Sequence, residues 1–359
     1  MKNIIKYTCV ALVSYIAFGW AGCKKDETTF NIIPPSPGDT ITLSGIAGTE
    51  TGDSALNSVF VDLSKVLNPQ NSVLRTSWDL GFYSGTEFRV IINHSVGASV
   101  ISTGKTELTD VSKADSTAAV LAKLTLNGTK GDAATVDPVS GNFTDYLKGT
   151  VIGEVSATAG QNLVYILNPG KTANIARRPW IKFQVTRTST GYLVTYGTLD
   201  LKLFNTVNIV KDGSYNFRYA SLRGASSNVE PGKKEWDLEW GSSTYKNATN
   251  PVYTPDFVLI NFAGGVTAAM VKNTATLTYA TFSEADLNSL NPTFSGDRDI
   301  IGTSWINLVN STKAGLIVNT DRFYLIKDAA GNIYKLNFGG GSRGRPIIQY
   351  ILVKAAITA

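Results

Sequence analysis

The chain has 359 residues, a formal net charge of +5, one histidine and two cysteines. Such a weak positive charge, without clusters of lysine and arginine, excludes an electrostatic surface for nucleic acids. A single histidine also excludes metal motifs that need two, such as H-E-x-x-H, and the missing C-x-x-C-H motif excludes c-type haem attachment. The elements below are taken in chain order.

The first segment, residues 1–22, has the three parts of a secretory signal. Two lysines give it a positive start, and residues 7–18 form an apolar run. This run is shorter than the ~20 residues that a membrane-spanning helix needs. Small residues, Ala21 and Gly22, then precede Cys23 and fit the narrow neck that a lipoprotein peptidase requires. We therefore expect cleavage before Cys23 and membrane attachment through lipid on that cysteine.

Residues 23–40 are expected to form a flexible tether, because charged residues and prolines dominate and few apolar side chains could join a core. The charged run after Cys23 resembles the surface-export signals of Bacteroidota lipoproteins, although a solvated linker would look much the same. Cleavage also removes two lysines and Cys9, so the formal charge falls to +3 and no cysteine is left for a disulfide or a metal site.

The remainder of the chain contains an internal repeat, in which five landmarks occur twice in the same order. They are a first strand (60–63 and 219–222), a Trp-Asp-Leu motif (78–80 and 236–238), a second strand (87–93 and 256–261), a Ser-x-Ala-Asp run (112–115 and 283–286) and a closing hairpin (180–197 and 323–338). The sequence therefore predicts two related units, residues 41–205 and 206–359, and we expect the second to fold alone.

The local patterns are mostly those of strands. Residues 180–185 and 323–326 are β-branched, aromatic or alternating, and Gly, Asn, Asp and Ser separate such runs. Both Ser-x-Ala-Asp runs fit capping boxes that open short helices, and residues 116–124 also look helical. Long strands joined by hairpins predict an all-β fold of two antiparallel β-sheet units with short helical segments.

The sequence contains no complete catalytic motif. Residues 339–344 match G-x-G-x-x-G, but a strand follows them instead of a helix, so we interpret them as a glycine-rich β-turn. A nucleophilic triad would have to use His94, and no G-x-S-x-G motif accompanies it. The repeated Asp79 and Asp237 are better suited to tying down backbone than to acid–base work. We therefore predict that the chain is not an enzyme.

Two single residues of the mature chain could coordinate haem iron, because imidazole and thioether both do so. His94 stands at the end of a strand, where a lone histidine is more often exposed or hydrogen-bonded than a ligand. Met270 is the only methionine after the signal, and such a residue is more often core filler. Both are kept as candidate axial ligands.

Aromatic residues that follow the two Trp-Asp-Leu motifs are a second candidate feature. The first tryptophan of each motif is expected in the core, whereas later aromatics lie nearer to glycine-containing loops and could line a ligand cleft. These candidates are Phe82, Tyr83, Trp240 and Tyr245.

With these landmarks, the chain resembles the HmuY family of Bacteroidota haem-binding lipoproteins. The resemblance rests mainly on residues 219–222, 236–238, 324–336, 344–346 and Tyr350 in the second unit, and on residues 78–82 and 180–197 in the first. It implies an all-β outer-membrane lipoprotein, exposed at the cell surface, that captures haem and passes it to an outer-membrane receptor. It also implies two axial ligands, which are histidines in the best-known case and methionine in others.

One histidine cannot supply both ligands, so this sequence departs from the bis-histidine pattern. Three ligation schemes remain open: His94 with Met270, ligation from one side only, and ligands shared between chains. The alternative from another functional class is a duplicated β scaffold that has lost haem and acts as an adhesion or glycan-binding module. A Soret band on mixing with haemin distinguishes haem binding from the adhesion and glycan-binding functions.

We predict that Cys23→Ala leaves the protein exported but without lipid, because lipid transfer requires the cysteine thiol. Metabolic labelling with palmitate measures this directly. Label that persists in the variant would contradict the prediction.

Overall fold

The computed structural model describes residues 34–52, 55–126, 130–223, 226–246, 250–311 and 315–357. The predicted signal segment, Cys23 and most of the predicted tether lie outside these residues. No helix within the described part of the chain is long and apolar enough to cross a membrane.

Across the described ranges, eighteen strands form four antiparallel sheets, which confirms the predicted all-β fold. The strands are β1 Gly38–Thr42, β2 Asn57–Val61, β3 Gln70–Leu74, β4 Leu80–Tyr83, β5 Val90–Ile92, β6 Ser99–Ser102, β7 Val164–Asn168, β8 Ile181–Arg187, β9 Gly191–Thr198, β10 Asn205–Val210, β11 Phe217–Ala220, β12 Ser226–Ser227, β13 Leu238–Lys246, β14 Pro251–Ile260, β15 Thr267–Lys272, β16 Arg322–Lys327, β17 Ile333–Ser342 and β18 Arg345–Lys354. The two five-stranded sheets have the orders β1-β18-β17-β16-β15 and β10-β9-β8-β7-β6, and the two four-stranded sheets have the orders β12-β11-β4-β5 and β3-β2-β13-β14.

Short helices connect the strands at α1 Ala118–Leu124, α2 Phe143–Lys148 and α3 Glu284–Leu290. The predicted capping boxes are both present: Ser283 opens α3, and Ser112 opens a single 3-10 turn. The helix expected near residues 116–124 is confirmed as α1. Helix α2 was not predicted, and the side chain of Asn142 caps it by accepting the backbone N–H of Asp145.

The two halves of the chain follow the same strand order, in which each strand corresponds to the strand nine positions later. The closing hairpin at residues 180–197 therefore corresponds to β17 and β18, and its predicted match with residues 323–338 is wrong by one strand. Lys182 and Lys335 show the correct alignment, because each lies buried in its sheet and donates from Nζ to a backbone carbonyl oxygen. Hairpins of alternating aromatic and β-branched residues resemble one another too closely for sequence patterns to separate them.

Strand pairing divides the chain at other positions than the sequence repeat does. One continuous stretch, β4 to β12, supplies two complete sheets, which we call the central sheet pair. The other two sheets combine β1–β3 with β13–β18 and form the terminal sheet pair. Each pair encloses its own cluster of buried apolar side chains. Pro35–Ala359 forms one compact unit, and the boundary between residues 205 and 206 stays a prediction about the repeat.

The repeated aspartates close the strands of the four-stranded sheets, as the sequence led us to expect. Asp79 accepts the backbone N–H of Leu222 at 2.9 Å, and Asp237 accepts that of Leu63 at 2.8 Å. Both carboxylates are buried, where a backbone N–H without a partner would be costly. Each aspartate therefore fixes the position at which the chain leaves the neighbouring strand of its sheet.

The asparagines that follow β5 and β14 repeat a second set of hydrogen bonds. Asn93 donates from Nδ2 to the carbonyl oxygen of Trp78, and Asn261 donates in the same way to that of Trp236, at 2.8 Å in both cases. Both side chains are fully buried. The tryptophans are thereby held where the two four-stranded sheets meet.

Aromatic side chains fill the contact between the two four-stranded sheets. Trp78 meets Tyr219 edge to face with ring centroids 4.9 Å apart, and Trp236 meets Phe60 at 5.1 Å. Edge-to-face pairs place the positive ring edge against the negative face and add about 0.5–1.5 kcal/mol to area burial. This cluster joins the central and terminal sheet pairs and supplies the walls of the site described next.

We expect residues 77–230 to fold when expressed alone, because they contain every strand of the central sheet pair. The repeat predicted that residues 206–359 fold alone. They lack β1–β3, however, so β13 and β18 would lose partner strands, and from the strand pairing we expect this fragment to be poorly structured. Circular dichroism and urea unfolding of both fragments measure this. Cooperative unfolding of 206–359 together with an unstructured 77–230 would show that the sequence repeat, rather than strand pairing, defines the folding unit.

Candidate functional site

A buried polar cluster lies where the two four-stranded sheets meet. It consists of His94 after β5, Glu230 before β13, Glu239 on β13, and Arg298 in the loop between α3 and β16. Its side chains and the aromatic cluster surround a cavity of about 20 Å³. This is room for one water molecule.

The local sequence turns His94 inward. The side chain of Asn93 accepts the backbone N–H of Ser95 and caps a single 3-10 turn, His94–Val96. Gly97 ends the turn with φ of 68°, a left-handed conformation that glycine adopts without strain. The hydroxyl of Thr244 on β13 then donates to the carbonyl oxygen of His94 at 2.9 Å. The imidazole is therefore packed against the sheet instead of facing solvent.

His94 is neutral, and its lone pair faces Arg298. Nη2 of Arg298 lies 3.0 Å from Nε2 of His94, and a guanidinium can only donate, so Nε2 must be the acceptor. Burial and the charge of Arg298 hold the pKa of His94 well below its usual range. An oxygen of Glu239 lies 3.6 Å from the same nitrogen, but an ion pair there would need a protonated imidazole.

Arg298 is the buried cation of the cluster. Its guanidinium lies over the rings of Tyr146 and Phe262, 5.0 and 5.5 Å from their centroids, which favours the charge electrostatically. Burial raises the pKa of Glu239, and the charge of Arg298 opposes that rise. The arginine thus stabilises the ionised form of Glu239 and the neutral form of His94 at the same time.

Glu230 is the second buried carboxyl group. Burial raises its pKa to about 8, although its Oε1 accepts the backbone N–H of Phe217 at 2.6 Å, which lowers the pKa. Burial and the charge of Glu230 also raise the pKa of Tyr219 well above its usual range. Near pH 7 the cluster therefore combines a protonated Glu230 with a neutral imidazole.

The cavity is far smaller than a porphyrin ring, since pockets for drug-sized ligands measure ~300–1,000 Å³. Within the described ranges, no group of His, Cys, Asp and Glu side chains could hold a metal ion. In this arrangement the cluster can exchange protons or hold a single water molecule, and its imidazole nitrogen is not free to coordinate iron.

Met270 lies away from this cluster. It belongs to β15, the edge strand of a five-stranded sheet, and 40% of its surface is exposed. Its Sδ lies 3.6 Å from Nη1 of Arg322 on β16. The interpretation of Met270 as core filler is therefore wrong, and in the described part of the chain no contact brings its thioether to His94. The structure does not assemble these two residues into one ligand pair.

The four candidate cleft aromatics do not line a common cleft. Phe82 is buried in the core of the central sheet pair and Trp240 in that of the terminal pair. Tyr83 and Tyr245 each pack against a phenylalanine, with ring centroids 5.3 and 5.9 Å apart, in separate clusters. Phe82 and Trp240 are buried because both faces of their strands are covered, whereas Tyr83 and Tyr245 are half-buried near the ends of β4 and β13.

Sequence reasoning missed three members of the polar cluster. Arg298 stands in an irregular loop, Glu230 in a short connection, and neither belongs to a recognisable motif. Glu239 carried the one usable signal, because it follows the second Trp-Asp-Leu motif where the first repeat has Gly81. A charged residue that replaces glycine at a repeated buried position indicates a specific partner.

A family model described as HmuY protein matches residues 54–345 of this chain. The match is a single one that runs across the boundary between residues 205 and 206, and the division into two tandem family units stays a prediction. Comparison with curated proteins and with solved structures gives no match.

We predict that Glu230 makes the protein less stable as the pH rises from 6.5 to 8. Its folded pKa of about 8 lies above the unfolded value near 4.5, so the stability it contributes is present at low pH and lost through pH 8. The contribution is roughly 1.4 kcal/mol per pH unit. Urea unfolding at several pH values measures it.

Glu230→Gln retains an oxygen that accepts the backbone N–H of Phe217. It should reduce the decrease of the unfolding free energy with pH by roughly 1.4 kcal/mol per pH unit. Glu154→Gln, at a half-exposed carboxylate, is the matched control and should leave the slope unchanged. Equal slopes for Glu230→Gln and the parent protein would contradict the prediction.

Proposed function

Because the chain belongs to the HmuY family, a family of haem-binding surface lipoproteins, we propose that it is a non-enzymatic lipoprotein that binds haem at the cell surface. The observation that carries the proposal is the family match over residues 54–345. In this proposal, lipid on Cys23 holds the protein on the outer membrane, and an outer-membrane receptor takes over the haem.

Met270, which is 40% exposed, supplies the first axial ligand in this proposal through its thioether. Thioether sulfur coordinates haem iron, and it can do so only where a flat macrocycle has access to it. Lys272 is exposed two residues further along the same strand, and its ammonium suits a propionate of haem. Arg322 contacts the sulfur from β16 but is already paired with Asp321. The edge strand β15 therefore offers a ligand with charged groups beside it.

His94 is not an accessible ligand in the observed conformation. Its Nε2 would first have to leave Arg298, and the guanidinium would then be buried without that acceptor. Coordination from one side by Met270 requires only that Arg322 release the sulfur, and Arg322 would keep its ion pair with Asp321. A second Met270 from another copy could occupy the opposite face of the iron.

The haem-free scaffold is the second candidate function, and the engagement of His94 by Arg298 favours it. The haem-free scaffold would act through an adhesion surface and would not coordinate iron. Glycan binding through the four predicted aromatics has little support, because Phe82 and Trp240 are buried in the two cores.

Haemin titration of the soluble mature chain, with the Soret band as readout, tests the proposal. We expect Met270→Leu to weaken binding at least about tenfold and to change the spectrum, because it retains the volume and removes the sulfur. His94→Gln keeps an acceptor for Arg298 and should leave the haemin affinity and the spectrum unchanged.

Three outcomes would contradict this ligation scheme. Loss of the Soret band in His94→Gln alone would mean that the buried cluster opens for haem. A spectrum unaffected by both substitutions would indicate another ligand or capture without coordination. Absence of any haemin-induced Soret band in the parent protein would favour the haem-free scaffold.

A further inference from the structure

An open groove lies on the central sheet pair, where β8 and β9 meet the chain that leaves β11. Its cavity measures about 130 Å³ and is larger than the cavity beside His94. Ile181, Tyr196 and Leu222 form its apolar floor, Leu201 lies at its rim, and the guanidinium of Arg223 lies beside it.

The terminal sheet pair has a counterpart of this groove. Strands β8, β9 and β11 correspond to β17, β18 and β2 by the repeated strand order. Lys182 on β8 lies opposite Gly197 on β9, and its counterpart Lys335 on β17 lies opposite Ile351 on β18. These pairings fix which residues of the two halves correspond. Thus Ile181, Tyr196, Leu222 and Arg223 correspond to Tyr334, Tyr350, Leu63 and Ser64.

A piece of this chain fills the counterpart groove. Ser36 is buried there, its backbone N–H donates to the carbonyl oxygen of Ser64 at 2.8 Å, and its carbonyl oxygen accepts the hydroxyl of Tyr334 at 3.1 Å. The N–H of Leu352 donates to the carbonyl oxygen of Pro37. The groove on the terminal sheet pair is therefore a binding site for extended backbone that the chain itself occupies.

The central groove cannot be filled in the same way. The residues before β10 belong to the tight connection from β9, where the backbone N–H of Leu201 donates to the carbonyl oxygen of Thr198. Leu201 and Leu203 are 44% and 86% exposed as a result. Chain geometry thus leaves open a groove whose counterpart binds extended backbone.

The two grooves differ in charge. Arg223 stands where the filled groove has Ser64, and Arg178 lies close by. Both guanidinium groups share one carboxylate, Asp79, at 3.5 and 3.1 Å. Arg223 is also partly exposed and can reach an incoming group. Among these three groups one positive charge is in excess, and the partly exposed Arg223 complements an anion.

We propose that the central groove binds an extended peptide segment of another protein, with a carboxylate side chain placed beside Arg223. Its backbone would lie as residues 35–37 lie in the counterpart groove. This site is separate from Met270 and from the buried cluster, and the inference does not rest on haem binding.

Fluorescence anisotropy with labelled peptides tests the proposal on the full mature chain. The first probe copies residues 34–37 (Pro-Pro-Ser-Pro), and the second carries Ser36→Asp. We expect the acidic peptide to bind about tenfold more tightly, the lower limit for a hydrogen bond to a charged group. In Arg223→Ser, which installs the counterpart residue, this preference should disappear.

Two further variants locate the site. Thr198→Trp fills the groove from an exposed position and should abolish binding of both peptides while circular dichroism stays unchanged. Ser64→Arg, the matched control in the occupied groove, should change nothing. Peptide binding that survives Thr198→Trp, or no preference for the acidic peptide, would overturn the proposal. If neither peptide binds and Thr198→Trp abolishes haemin binding, the groove is a site for haem and the proposal is also overturned.

Discussion

The architecture depends on a buried carboxylate that accepts a backbone N–H at the end of a neighbouring strand. Asp79 does this for the central sheet pair and Asp237 for the terminal pair. The tryptophan before each aspartate enters the contact between the two pairs. Asp79 also forms an ion pair with Arg178, whereas burial raises the pKa of Asp237 well above its usual range. The same tripeptide thus organises both sheet pairs under different electrostatic conditions.

Local signals predicted local structure well. The capping boxes, the strand-rich pattern and the backbone role of Asp79 could be read from the sequence, because each depends on residues close together or on a repeated motif. The closing hairpins were misaligned because the alternation of apolar and polar residues is the same in neighbouring strands and does not show which strands correspond. The surroundings of His94 could not be predicted, since Arg298 reaches it from 204 positions away in the chain. Burial of Phe82 and Trp240 likewise depends on which sheets face each other.

The polar cluster is a departure from the repeat. Asn93 and Asn261 occupy equivalent positions, and the residue that follows is His94 in one half and Phe262 in the other. Arg298 contacts both, with the imidazole nitrogen as acceptor and the phenylalanine ring below its charge. A repeated framework thus places one arginine between two residues that differ in the two halves. Its charge explains why the histidine that resembled a haem ligand in sequence behaves as a structural acceptor, and why the proposed function places iron coordination at Met270.

Along the sequence, the strands of the central sheet pair lie between those of the terminal sheet pair, and this affects the order in which the chain folds. During synthesis, the central pair is complete once the chain reaches about residue 227, so it can form early. Strands β1 and β2 emerge earlier and must wait for β18 and β13, a separation of more than 160 residues that makes their pairing slow. Until then their edges are unpaired and open to other chains. Strands β1 and β2 are therefore made before the central sheet pair but reach their native partners after it.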